Sequence, residues 1–197
     1  MLIYNSQTHR KEEFRPMEEG KVRMYVCGPT VYDQIHIGNA RTFLAFDVIR
    51  RYLVYRGYQV TFAQNLTDVD DKIINRANEE GRAAADVSEQ YAKAFIEQMH
   101  RFGILDPDIR PCATHEIKAM QDMISMLIEN GNAYVAANGD VYFSVRSDAS
   151  YGVLSGHDLD QLRAGERVEV NDEKRDPFDF ALWKAAKPGE PTWPSPW

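Results

Sequence analysis

The sequence predicts an α/β fold built on an open parallel sheet, with an α+β segment inserted toward its C-terminal end. Three observations predict it. Met24–Cys27 is a short, apolar, β-prone run that Gly28-Pro29 ends sharply. Gly38 and Asn39 then open a helical pattern that runs to about Arg56 and stops at Gly57, and Tyr58–Ala63 alternates as a second strand. Strand, helix and strand within about 40 residues make a right-handed βαβ unit. Finally, Tyr134–Ala137 and Asp140–Phe143 flank Asn138-Gly139, the strongest short-range hairpin signal in the chain.

The remaining elements follow in order. Leu2–Thr8 and Phe14 read as an irregular N-terminal strand and turn, with Glu18-Glu19-Gly20 as the connection onward. On the first helix Phe43, Phe46, Ile49 and Leu53 share an apolar stripe, whereas Arg41, Arg50, Arg51 and Arg56 read as a solvated face. Thr67 or Asp68 is the expected cap of a helix from Val69 to Glu80, which Gly81 terminates. Asp86 or Ser88 begins another helix, carrying Tyr91, Phe95, Met99 and Phe102. Prolines and aspartates make Gly103–Pro111 a loop, and Thr114 starts a helix that runs to Gly131. Asp158–Ala164 suggests a short helix, and Glu166–Glu173 a polar strand or loop. The aromatic and proline-rich end looks cut off. The expected division is 1–132 for a nucleotide-binding half and 133–197 for the insertion and the return to the main domain.

At 197 residues and 44% apolar, the chain can bury a substantial core. Its net charge of -7 excludes nucleic-acid binding through bulk charge, so any such contact must be local. Two cysteines, at 27 and 112, give no disulfide framework and fit a reducing cytoplasmic setting. No segment approaches the roughly 18 uninterrupted apolar residues of a membrane span, and no basic region precedes an apolar run at the N-terminus. A soluble, unexported protein is expected. The sequon Asn65-Leu66-Thr67 then has no consequence.

The chemistry gathers at the ends of the predicted strands. A buried strand that delivers a loop onto a helix N-terminus makes a phosphate site, because first-turn N–H groups and the helix dipole favour anions. His36-Ile-Gly-Asn39 stands at that helix start, where imidazole and amide N–H groups can reach a triphosphate over Gly38, whose missing Cβ permits close approach. The alternative is simple capping and turn chemistry. Cys27 reads either as a small buried hydrophobe or as a metal ligand. No CxxC or HExxH pairing accompanies it, and His100, His115 and His157 are scattered. The acidic cluster Thr67–Lys72 lies at the carboxyl edge where open sheets gather ligands, but it also suits helix capping. Cys112 is incidental.

Together these stretches resemble cysteinyl-tRNA synthetases. The resemblance rests on Tyr25–Asp33, His36–Phe43, Asn65–Ile74, Asn138–Val141, Tyr151–Leu154, Asp176–Phe180 and Pro194–Trp197, which follow the family order. It implies a class I synthetase catalytic domain, that is, a Rossmann-type sheet interrupted by a connective insertion from near Ala133. It implies ATP handled by His36, Gly38 and Asn39, with Asn39 where the family's HIGH-type motif has its second histidine. His36 and Asn39 would be catalytic, Pro29 and Thr30 would also bind ATP, Gly28 and Thr67 would line the cysteine pocket, and Cys27 would be one zinc ligand. The other zinc ligands, the KMSKS-type loop and the anticodon-binding helices have no counterpart here, so the chain resembles an N-terminal fragment. The implied partners are cysteine, ATP with magnesium, and tRNA(Cys), with no membrane and a monomeric state. Two other readings stay open. One is an adenylate-forming ligase joining cysteine to an aminosugar; the other is a non-catalytic synthetase-like binding module.

Overall fold

The computed structural model describes residues 1–156 and 173–197; the expectations for His157, for 158–164 and for 166–172 lie outside these residues. In chain order the elements are β1 (Leu2–Asn5), β2 (Arg10–Glu13), β3 (Lys21–Tyr25), α1 (Ile37–Tyr55), β4 (Gln59–Ala63), α2 (Asp71–Glu80), α3 (Ala84–Arg101), α4 (Ile117–Glu129), β5 (Ala133–Val135), β6 (Val141–Phe143) and β7 (Phe180–Trp183). They form two compact units, Pro16–Ile117 and Met1–Arg15 with Lys118–Trp197.

In the Pro16–Ile117 unit, β3 and β4 pair in parallel from Lys21↔Gln59 to Tyr25↔Ala63, joined across α1 as the βαβ reading requires. The pairing outlasts both strands. Thr30 bridges Thr67, Ala63 bridges Ile109 and Leu66 bridges Cys112, all in parallel, so three chain segments leave the sheet side by side. The first strand ends two residues earlier than its apolar run, leaving Cys27 beyond it. Val31, Phe43, Leu66, Ile73, Val87, Tyr91, Phe95 and Met99 form the core, with Phe43 and Phe95 edge to face at 5.3 Å.

Three expectations are corrected here. Phe46 and Ile49 are only half-buried, while Asp47 is buried at 5% exposure; its carboxylate accepts from Arg51 Nε at 2.6 Å and from the Leu105 N–H at 3.1 Å. Nor does Arg50 belong to a solvated face, although Arg41, Arg51 and Arg56 are exposed as expected. Arg50 donates to the Asp106 carbonyl at 2.7 Å and to Asp108 at 3.1 Å, and it stacks 5.2 Å over Phe62; Arg51 donates to the Gly103 carbonyl at 2.7 Å. The 103–108 loop has carbonyls that no strand or helix satisfies, and these arginines meet them. The cap of α2 is Asp70, whose Oδ1 accepts from the Lys72 N–H at 2.9 Å, rather than Thr67 or Asp68; Gly81 ends the helix at φ +64 as expected. Asp68 instead accepts from the Thr114 N–H at 2.9 Å.

In the other unit, β1 and β2 pair antiparallel, and β5 and β6 form the expected hairpin, with Gly139 at φ +88 in its turn. The aromatic C-terminal stretch contains a strand that its prolines conceal: β7 adds antiparallel to β6. Asp179, 1% exposed, locks this piece by accepting from Tyr134 Oη at 2.7 Å and from the Val145 N–H at 3.0 Å. Among the described residues, no helix is long and apolar enough to cross a membrane.

Candidate functional site

The extended parallel pairing places Cys27–Thr30 against Asn65–Thr67 at the carboxyl ends of β3 and β4. The Thr67 N–H donates to the Pro29 carbonyl at 3.1 Å and the Val31 N–H to the Thr67 carbonyl at 3.1 Å, which fixes Thr30 beside Thr67. Four expected site residues, Gly28, Pro29, Thr30 and Thr67, are thereby brought together, with Cys27 at their edge. Cys27 is exposed, so it is not a small buried hydrophobe. A thiol standing clear of the core can meet a ligand.

Gly28 is required by contact. A Cβ there would lie 1.7 Å from the Asn65 carbonyl oxygen, so only glycine lets the two chains run this close. Asn65 joins this edge through its side chain. Its Oδ1 accepts from the Gly28 N–H at 2.8 Å and from Tyr25 Oη at 2.9 Å, while its Nδ2 donates to Thr67 Oγ1 at 3.2 Å. Burial, and then the neighbouring Cys27 thiol, push the Tyr25 phenol above its usual pKa. Sequence reasoning missed both Asn65 and Tyr25 as site residues, since Asn65 stands out there only as a sequon. The available signal was an asparagine two residues past the second strand of the βαβ unit and two residues before a candidate ligand.

His36, Gly38 and Asn39 form the start of α1. His36 is the N-cap: its Nδ1 accepts from the Gly38 N–H at 3.0 Å, and Asn39 Oδ1 accepts from the His36 N–H at 3.2 Å. This reciprocal box satisfies two first-turn donors and fixes both side chains. With Nδ1 accepting, the neutral ring carries its proton on Nε2, so His36 presents a donor outward; Asn39 keeps its amide NH2 as another. The first turn of α1 has no acidic residue, leaving the positive end of the dipole unopposed. A cleft of about 370 Å³ beside His36 is lined by Ile35, Ile37, Ala40, Gln98, Arg101 and Phe102. Its size is that of a small-molecule site.

The metal expectation finds one donor. Among the described residues, no three His, Cys, Asp or Glu side chains converge on a point. His100 is committed to Asp106, its Nε2 lying 2.9 Å from a carboxylate oxygen, and with Arg110 it holds the Asp106 carboxyl below its usual range. An exposed thiol suits zinc chemically, but one thiolate does not make a tetrahedral shell.

The model of the tRNA synthetase class I (C) catalytic domain matches residues 13–197. The cysteine–tRNA ligase of Sodalis glossinidius is 55% identical over the whole chain, which spans 43% of that protein. That of Lachnoclostridium phytofermentans is 56% identical, again over the whole chain and 42% of its own length. The chain thus spans less than half of these relatives. Among solved structures, the methionyl-tRNA synthetase of Mycobacterium tuberculosis in complex with methionyl-adenylate superposes with a TM-score of 0.56 at 20% identity, over 64% of this chain and 25% of that one. At that identity the likeness is one of fold, and the fold is the class I catalytic domain with its Rossmann-type sheet.

Proposed function

Because the chain belongs to the tRNA synthetases of class I, in the (C) catalytic-domain family, we propose that it is the nucleotide- and amino-acid-handling part of a cysteine–tRNA ligase. The observation that carries this reading is the juxtaposition of Cys27–Thr30 with Asn65–Thr67 at the sheet edge, followed by an anion-ready helix start at His36. Two binding chemistries, one for a small polar amino acid and one for phosphates, thus follow from one βαβ unit.

The reaction proceeds in two steps. The cysteine carboxylate attacks the α-phosphorus of ATP in line, a P–O bond to the leaving pyrophosphate breaks, and cysteinyl-adenylate forms. A terminal-ribose hydroxyl of tRNA(Cys) then attacks the activated carbonyl and releases AMP. Phosphoryl chemistry of this kind asks the protein mainly for position and charge stabilisation. Here the His36 Nε2–H, the Asn39 amide and the first-turn N–H groups of α1 supply donors for phosphate oxygens, with Pro29 and Thr30 at the nucleotide. When bound with ATP, magnesium would supply charge neutralisation at the phosphates. Gly28 and Thr67 line the cysteine pocket. Cys27 is assigned as one ligand of a zinc whose remaining donors are not among the described residues, and no step is routed through that metal.

The same reading places the protein in the cytoplasm as a monomer, with 133–197 as the connective insertion and the return to the catalytic domain. Cysteine-dependent exchange of pyrophosphate into ATP by the full-length protein, followed by charging of tRNA(Cys), tests it. Exchange with an aminosugar acceptor in place of tRNA would identify the thiol-biosynthetic ligase. Absence of any exchange would leave a binding module.

A further inference from the structure

We propose that Asn65 is a positioning residue that sets the polarity of the Thr67 hydroxyl, turning it into a proton donor toward the amino-acid substrate. The inference deepens the reading above and rests on Thr67 lining the cysteine pocket. The argument begins with a group that has no choice. The Gly28 backbone N–H can only donate, so the Asn65 atom 2.8 Å from it must be the carbonyl oxygen. That orients the amide. Its NH2 must then face Thr67 Oγ1, at 3.2 Å, and the hydroxyl oxygen accepts. A hydroxyl that accepts from one neighbour directs its own proton elsewhere. Thr67 therefore offers a donor to an acceptor lying away from Asn65, and the substrate carboxylate is such an acceptor.

The frame is rigid where this matters. The Thr67 backbone is held by Pro29 and Val31, both at 3.1 Å, and Tyr25 Oη supplies Asn65 Oδ1 with a second donor at 2.9 Å. The Gly28 N–H resists a flip of the amide, because a flip would set NH2 against a group that can only donate, whereas the Tyr25 hydroxyl could accept from it.

Asn65→Asp is the discriminating variant. It is nearly isosteric and still accepts from Gly28 and Tyr25, but it puts an acceptor where the amide donor stood. Thr67 must then give its proton to the new carboxylate, and the substrate loses its donor. Measured by pyrophosphate exchange in the full-length protein, Asn65→Asp is expected to raise the KM for cysteine about 10- to 100-fold, the scale of a lost bond to a charged acceptor. The KM for ATP should stay within about twofold. Asn65→Ala, which merely unlocks the hydroxyl, should cost less than Asn65→Asp. A purely structural role predicts the opposite order, since Asp keeps the bonds that Ala loses.

A double-mutant cycle removes the other explanation, repulsion between the new carboxylate and the substrate. In a Thr67→Val background the Asn65→Asp cost should fall to less than about twofold, whereas a charge effect would persist in full. Thr67→Ser, which keeps the hydroxyl, should retain most of the activity. If Asn65→Asp does not fold, Asn65→Ala in the same cycle carries the coupling test. Multiplicative losses, or Ala costing more than Asp, overturn the assignment while leaving the ligase reading intact. Absence of cysteine-dependent exchange in the wild type overturns both.

Discussion

The Nδ1 of His36 accepts the Gly38 N–H at 3.0 Å, so one imidazole nitrogen caps α1 while the other is left to donate outward. Cap and proposed phosphate donor thus reside on the same ring, and two substitutions separate them. His36→Ala loses both; His36→Asn keeps a short side-chain acceptor of the kind preferred at N-caps but has no group in the Nε2 position. Both should slow adenylate formation roughly 100-fold, the scale of one preorganised donor, with little change in cysteine affinity. Thermal melting should differ, Ala costing about 1 kcal/mol and Asn much less. Recovery of the rate in His36→Asn would make His36 a cap alone.

Gly28 and Gly38 make a paired test of close approach. A Cβ at Gly28 would meet backbone, the Asn65 carbonyl oxygen at 1.7 Å, whereas one at Gly38 would meet the ring of His36 at 2.8 Å. Backbone cannot step aside without parting the two segments, but an exposed ring can rotate. Gly28→Ala should therefore destabilise the fold by about 1–3 kcal/mol or more, and Gly38→Ala by less than about 1 kcal/mol, since losing the His36 cap is partly offset by alanine's better helix propensity, while displacing His36 and lowering the exchange rate. Equal melting temperatures for the two variants would contradict this packing.

Much of this edge is legible in the sequence, and the limits have physical causes. The βαβ unit is readable because short apolar runs, Gly28-Pro29, Gly57 and Gly81 punctuate the chain locally. The cap of α2 is not, because Thr67, Asp68 and Asp70 are all capable caps, and the choice depends on Asp68 being claimed by Thr114, 46 residues away. Arg50 looks solvated in sequence because its acceptors lie more than 50 residues onward. The strand β7 forms only by pairing with β6, far back along the chain, so the prolines and aromatics around it outweigh it locally. Asn65 escapes notice for the same reason: its bonds reach 37 and 40 residues back, to Gly28 and Tyr25.

The zinc role proposed for Cys27 would bear on selectivity between cysteine and serine, which differ by one atom. A pocket that only encloses the side chain discriminates by about 10- to 200-fold. Zinc held in part by Cys27 would add to this, because a soft thiolate is a strong zinc ligand and a neutral hydroxyl a poor one. In the full-length protein, Cys27→Ser should reduce bound zinc by metal analysis and narrow the cysteine-to-serine ratio in exchange. ATP binding should persist, since the α1 start does not include Cys27. Full zinc and an unchanged ratio would make Cys27 a bystander thiol.

Asp179 is the expected weak point of the C-terminal unit. It accepts from Tyr134 Oη, the Val145 N–H and, at 3.2 Å, the Asp176 N–H, and the Arg175 N–H in turn donates to Tyr134 Oη at 2.7 Å. Asp179→Ala would leave buried donors without partners, at about 1–3 kcal/mol each. Equilibrium denaturation should show a loss of at least that size, with Asp179→Asn intermediate because one oxygen remains. A loss below about 0.5 kcal/mol, under the range for a single orphaned donor, would mean that water replaces the carboxylate.

Tyr142 gives the same unit an alkaline limit. Burial first, and then the Asp140 carboxylate that accepts its hydroxyl at 2.9 Å, push the Tyr142 phenol up to about 12. A group whose pKa is raised by folding is bound in its protonated form more tightly in the native state. Its contribution is therefore fully present below the unfolded value near 10 and is lost as the pH rises toward about 12. The unfolding free energy should be flat in this group up to about pH 9 and decline through that window. Tyr142→Phe, which cannot ionise and keeps the ring against Tyr134 at about 5.9 Å, should be less stable at about pH 8 but show a shallower alkaline slope. An identical slope in the variant between about pH 10 and 12 would assign the alkaline loss to other groups.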